Sequence, residues 1–176
     1  MWSKSFAGKF SLLGQNSDKS MLGLAHSQDS KVNVTVPIQR LVRAIQVSQG
    51  EFSLLLACCH STVKQTQILH LLKEFCPTEI NEITLPANSE TFYTTVNDLL
   101  GSARPQALVI GGLESVIAIN QLLVSTNIMR DELRKRFQHP LVLWVNDEIL
   151  QKLVWLAPDL KNWAACTIRF DGHDEH

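Results

Sequence analysis

The feature that most constrains this chain is a fivefold alternation, beyond residue 50, of short apolar runs with strand character and runs with helical spacing. Such alternation predicts an α/β fold on a mainly parallel sheet, because each parallel crossover needs a dozen or more residues and usually takes a helix. The first strand is expected over residues 52–58. The helix after it starts at Thr62, in capping-box relation to Gln65, with Ile68, Leu71, Leu72 and Phe75 as its apolar stripe and Pro77 as its stop. Residues 80–85 read as the second strand. A helix capped by Asn88 or Ser89 follows, with Phe92, Val96, Leu99 and Leu100 on one face and Gly101 past its end.

The third strand is expected over residues 107–110, then helical material over 114–123 and a charged helix over 128–137. In that helix Asp131 and Lys135, and Glu132 and Arg136, stand at the i,i+4 spacing of a solvated face. Pro140 opens the fourth strand, residues 141–145. Asn146 is placed to cap the next helix, whose inward residues are Ile149, Leu150, Leu153 and Leu156 and which Pro158 ends. The fifth strand, residues 166–170, sets Cys166, Ile168 and Phe170 against Thr167 and Arg169.

Strand character also orders the sheet. A central parallel strand is covered on both faces and reads as continuously apolar, whereas an edge tolerates polar residues. Strands one, three and four are of the central kind and two and five of the edge kind, so the order 5-1-4-3-2 satisfies the pattern, as would several other doubly wound sheets.

Before the alternation, residues 1–30 are rich in Ser, Gly, Lys, Gln and Asn without a sustained apolar period and are expected to be a flexible leader. Residues 31–171 form the domain, which begins with a short helix carrying Ile38, Leu41, Val42 and Ile45, with Pro37 in its first turn. Residues 172–176 are a polar tail whose His173 and His176 could bind metal only adventitiously. With 176 residues, 45% of them hydrophobic, one compact domain is expected.

Charge narrows the function classes. Sixteen Lys and Arg against 17 Asp and Glu leave no field of one sign to hold nucleic acid or an anionic membrane, so neither is expected as a partner. Cys58, Cys59, Cys76 and Cys166 lack zinc-ligand spacing, and no signal peptide or transmembrane run precedes them, so they read as reduced core thiols of a cytoplasmic protein. Consecutive strand residues face opposite ways, which sets Cys58 and Cys59 apart as ligands.

In sheets of this kind ligands bind beyond the carboxyl ends of the strands, here after residues 58, 111 and 145. A phosphate loop after the first strand needs glycines that bare its amides and a final Gly-Lys-Ser/Thr. The stretch present, Ala57-Cys-Cys-His-Ser-Thr-Val-Lys64, has no glycine, and Lys64 is one position late, a turn of about 100° on a helix. Gly111 stands where a metal-holding Asp would follow the third strand. Glu114 reads as a general base or as a first-turn acid, and Asn146 as a γ-phosphate contact or a cap. His60 beside Ser61 and the cysteine pair suggests a nucleophile and base, but no positioned acid is evident nearby in the sequence.

Three segments resemble a known family. Leu108-Val-Ile-Gly-Gly-Leu-Glu-Ser115 is similar to the apolar-Asp-Gly-Leu-Asp/Glu segment of the signal-transducing ATPases with numerous domains (STAND), part of the AAA-like P-loop class. Pro140-Leu-Val-Leu-Trp-Val-Asn146 looks like the fourth strand of that class. Leu156-Ala-Pro-Asp-Leu-Lys-Asn-Trp163 resembles the Ala-Pro-Asp-Phe-x-x-Trp signature of a divergent branch found at the front of bacterial, notably cyanobacterial, repeat proteins. The likeness spans roughly residues 38 to 170 and implies the sheet order 5-1-4-3-2. It also implies a module joining an effector or sensor to a repeat array; residues 1–176 contain no repeats, as expected of a stand-alone relic, a truncated form or an excised domain.

Both Walker-type elements are degenerate, so the expectation is a non-catalytic, ATPase-like signalling adaptor that holds a protein partner and needs no cofactor or metal. Trp155 and Trp163 are its candidate interface anchors. The alternative is a divergent nucleotide switch or weak ATPase holding ATP and magnesium through Lys64, Glu114 and Asn146.

Overall fold

Strands made wholly of apolar residues have no face to show to water, so the sheet they form has to be covered on both sides. The computed structural model describes residues 25–171, with side chains from residue 36 onward. Its sheet holds β1 (Ser53–Cys58), β2 (Ile80–Thr84), β3 (Ala107–Gly111), β4 (Pro140–Val145) and β5 (Ala164–Arg169) in the order β2-β3-β4-β1-β5, and every pairing is parallel. This is the expected order, read from the other edge. β4 is buried at every position and β1 and β3 nearly so, while β2 and β5 alternate as edges do.

Helices α1 (Ala25–Val47) and α2 (Thr62–Phe75) cover one face, where Leu41, Ile45, Ile68 and Leu72 pack on Leu55, Val109, Val142 and Trp144. The other face is covered by α3 (Phe92–Leu100), α4 (Ile119–Ile128), α5 (Arg130–Arg136), α6 (Asp147–Leu156) and α7 (Pro158–Asn162). There Phe92, Val96, Leu122, Leu133 and Ile149 meet Leu54, Leu56, Ile110 and Leu143. Cys58 belongs to this second layer and Cys59 to the first, which is the separation that strand geometry requires. All four cysteines are free.

Several boundaries differ from the sequence reading. α1 begins at Ala25, so part of the expected leader is helical and Pro37 lies inside the helix. Proline's fixed φ suits a helix; its cost is the missing N–H and a clash with the preceding turn. Residues 1–24 and 172–176 lie outside the described residues. Ser61, not Thr62, caps α2, its Oγ accepting from the Lys64 amide at 3.2 Å, and Gln65 Nε2 instead donates to the Cys59 carbonyl at 3.1 Å. Neither Asn88 nor Ser89 caps α3. Its N-cap is Thr91, and the Ser89 hydroxyl closes a turn onto the Pro86 carbonyl. Pro158 ends α6 by opening α7 at its first turn, the helical position that tolerates proline best. The α5 charges pair at i,i+3, Asp131 with Arg134 at 3.5 Å and Glu132 with Lys135 at 3.2 Å, because Arg136 turns away to donate to Asn97 Oδ1.

His139, buried just before β4, carries a pH prediction. Its Nδ1 lies 3.1 Å from the Pro140 carbonyl and its ring packs on Phe137. Burial, followed by the nearby Arg136 cation, pushes the imidazole below its ordinary value of 6.5, with the Pro140 carbonyl opposing. The unfolded chain therefore binds this proton more readily than the folded one. The contribution of a neutral His139 is full above pH 6.5 and is lost as the pH falls through the folded value. Urea unfolding between pH 8 and pH 5 should show the wild type losing stability over the lower half of this range, and His139→Leu losing less.

Candidate functional site at the carboxyl ends of the central strands

The order β4-β1-β5 brings together the residues that follow three neighbouring strands. His60 lies in the turn after β1, Asp147 in the first turn after β4, and Arg169 and Asp171 at the end of β5. His60 Nε2 stands 3.0 Å from Asp147 Oδ2 and 3.7 Å from Asp171 Oδ2. Arg169 Nη1 donates to Asp147 Oδ1 at 2.8 Å and lies 3.7 Å from Cys58 Sγ. Asp171 is held from two sides: its Oδ2 accepts from the His60 backbone N–H at 2.9 Å, and its Oδ1 lies 3.6 Å from Lys64 Nζ. Cys59 Sγ is also 3.6 Å from that oxygen.

Two cations and two carboxylates thus balance across the network, with His60 between the acids. The Arg169 hydrogen bond, assisted by the charges of Arg169 and His60, holds the Asp147 carboxyl below its usual range. Each pair is half exposed, so each contributes at most about 1 kcal/mol to stability. The thiols below are poor nucleophiles. Burial raises Cys58, against the opposing Arg169 charge, and pushes Cys59 up to about 11. Ser61 spends its hydroxyl oxygen on the α2 cap. His60 does have an acid beside it, contrary to the sequence reading, but no activated nucleophile accompanies the pair.

The three residues of the nucleotide alternative do not converge. Lys64 faces Asp171. The Asn146 Oδ1 accepts from the Ile149 amide at 2.8 Å and caps α6. Glu114 is exposed on the short 3-10 turn Leu113–Ser115 and makes no hydrogen bond or ion pair with Lys64 or Asn146. Nor does the metal position fit magnesium. Gly111 has no side-chain carboxylate, its backbone carbonyl already accepts from the Leu85 amide at 2.9 Å, and the direction its Cβ would take meets the Trp144 indole at 3.5 Å. Among the described residues no set of three or more His, Cys, Asp or Glu side chains could hold a metal ion. None of their helices is long and apolar enough to cross a membrane.

No protein-family model matches the chain, and no curated protein matches it. The site is therefore read from its own chemistry.

Asp147 and Asp171 are the members of this network least legible in the sequence. Asp147 reads locally as a first-turn acid and Arg169 as an outward strand residue, and both readings are correct for their elements. The usable signal was the predicted strand order, which sets the ends of β5, β1 and β4 side by side.

The two tryptophans proposed as anchors separate cleanly. Trp163 packs against Phe52 at 6.3 Å between centroids, under the Arg130 and Arg134 guanidiniums at 5.6 and 5.1 Å. Trp155 is 82% exposed, with Val154 beside it also exposed.

Proposed function

We propose that this chain is a non-catalytic, ATPase-like module that acts by holding a protein partner. What carries the reading is the network at the strand ends. The ground where a nucleotide's phosphates would sit is taken by Asp171, on the His60 amide and Lys64, so an incoming anion has to displace a carboxylate already bonded. A displaced Asp171 would then stand as a like charge beside the anion. The lack of a side-chain carboxylate at Gly111 points the same way, as does the engagement of Asn146 in its cap. An exposed tryptophan such as Trp155 is the residue type that anchors interfaces, since it buries a large rigid surface at little entropic cost. The likeness to the signal-transducing ATPases supplies the class of module, one that relays contacts between proteins.

A second reading keeps one observation in its favour. The β1–α2 turn already binds a carboxylate through a backbone N–H and a lysine, which is the chemistry a phosphate would use. Under it, Mg·ATP would bind a rearranged site that includes Lys64, Glu114 and Asn146. Titration with Mg·ATP separates the two, because the adaptor reading requires no binding at millimolar nucleotide.

A further inference from the structure

We infer that the cleft at the opposite, amino-terminal edge of the sheet is a docking site for an acidic peptide segment of a partner protein. This rests on the protein-interaction reading above and names the chemistry of the partner. The cleft lies between the connection from α3 to β3 and the last turn of α5, has a volume of about 480 Å3, and is lined by Gly101, Ser102, Ala103, Arg104, Lys135, Arg136 and Gln138. Three of these residues are cations and none is an acid.

The cations are available to different degrees. Arg104 is exposed and makes no hydrogen bond or ion pair among the described residues. Arg136 is anchored, its Nε donating to the neutral Asn97 Oδ1 at 2.8 Å and its guanidinium resting 5.6 Å from the Phe137 ring centroid. Anchoring without neutralising leaves a planar, pre-oriented charge, the arrangement that suits a carboxylate. Lys135 pairs with Glu132 at 3.2 Å, but both side chains are more than half exposed, and such a pair exchanges partners at little cost.

A peptide fits better than a nucleic acid. An extended phosphate chain needs a longer track of cations than the three that line this cleft. No aromatic side chain lines the cleft, so bases would find no stacking surface. A short run of Asp or Glu needs only the three charges present, and a cleft of this size accommodates a few side chains.

The test is fluorescence anisotropy with a fluorescein-labelled, Glu-rich decapeptide on the full chain, beside its Gln-for-Glu counterpart and a twelve-residue oligothymidine. The wild type should bind the Glu peptide, lose it as salt is raised, and ignore the Gln peptide. Arg104→Glu combined with Lys135→Glu should weaken binding at least about tenfold, since two of the three charges that hold the carboxylates are reversed. Both residues are exposed, so an unchanged melting temperature confirms that the variant is folded. Equal affinity in the variant, no binding at millimolar peptide, or tighter binding of the oligothymidine would each overturn the proposal. A parallel Mg·ATP titration separates the two levels. Absent peptide binding with silent nucleotide removes the cleft alone, whereas nucleotide binding removes the adaptor reading on which the cleft depends.

Discussion

Phe137→Ala is expected to destabilise the protein by about 3–5 kcal/mol, the range for emptying a fully buried aromatic site. Phe137 has no exposed surface, and its ring packs 6.2 Å from Tyr93 and 5.8 Å from His139 between centroids. It sits where α5 ends and the chain turns into β4, and so joins α3 to the amino end of the central strand. Tyr93 and His139 cannot close over the gap without leaving the positions that strand and helix fix for them. At about 2–4 °C per kcal/mol for a domain of this size, the melting temperature should fall by roughly 10 °C. Trp155→Ala makes the contrast: 82% exposed, it should change stability by no more than about 0.5 kcal/mol. Urea denaturation of both variants checks the pair.

Gly112→Ala should be nearly as damaging for a different reason. Gly112 has φ +88°, and a Cβ built on it would lie 2.8 Å from the Leu85 carbonyl oxygen and 3.0 Å from the Leu85 nitrogen. Backbone atoms cannot rotate aside as a side chain would. The left-handed conformation alone costs an alanine about 1–3 kcal/mol, and relieving the clash means separating the segments that follow β2 and β3. Those segments are laced together by the Leu85 amide donating to the Gly111 carbonyl and the Ile117 amide to the Ala87 carbonyl, both at 2.9 Å. A total loss of about 2–4 kcal/mol is expected, with faster amide exchange at Leu85 and Ile117 in Gly112→Ala than in the wild type. Normal stability and unchanged exchange would show that this turn is not held as described.

The sheet order was legible because burial on two faces leaves a compositional mark: Leu141 to Val145 are all apolar, while Asn81 and Glu82 interrupt β2. The Cys58 and Cys59 separation followed from strand periodicity alone. Asn146 was visible as a cap because its partner is three residues away. The capping-box reading at Thr62 falls one residue late, since Ser61 is also a cap former and the cap depends on where the chain leaves β1. Ser89 misled for a related reason, its hydroxyl being taken by the Pro86 carbonyl within a turn.

The candidate site was the least legible part. His60 contacts Asp147 and Asp171 across 87 and 111 positions of sequence, and Arg169 reaches Asp147 across 22. Periodicity places each residue on an element but says nothing about where the tips of long side chains meet. The lack of glycine in the turn after β1 is legible in the sequence; the ion pairs that gather around that turn are not. Gly112 lay inside a segment quoted for its family likeness, yet its demanding conformation depends on Leu85, which follows a different strand.

We propose that the chain's own charges close the strand ends to nucleotide. Isothermal titration of the wild-type chain with Mg·ATP, beside Lys64→Ala and Glu114→Ala, addresses it most directly. No binding heat is expected up to millimolar nucleotide in any of the three proteins. Saturable binding by the wild type that weakens in either variant would overturn this reading in favour of a divergent nucleotide switch.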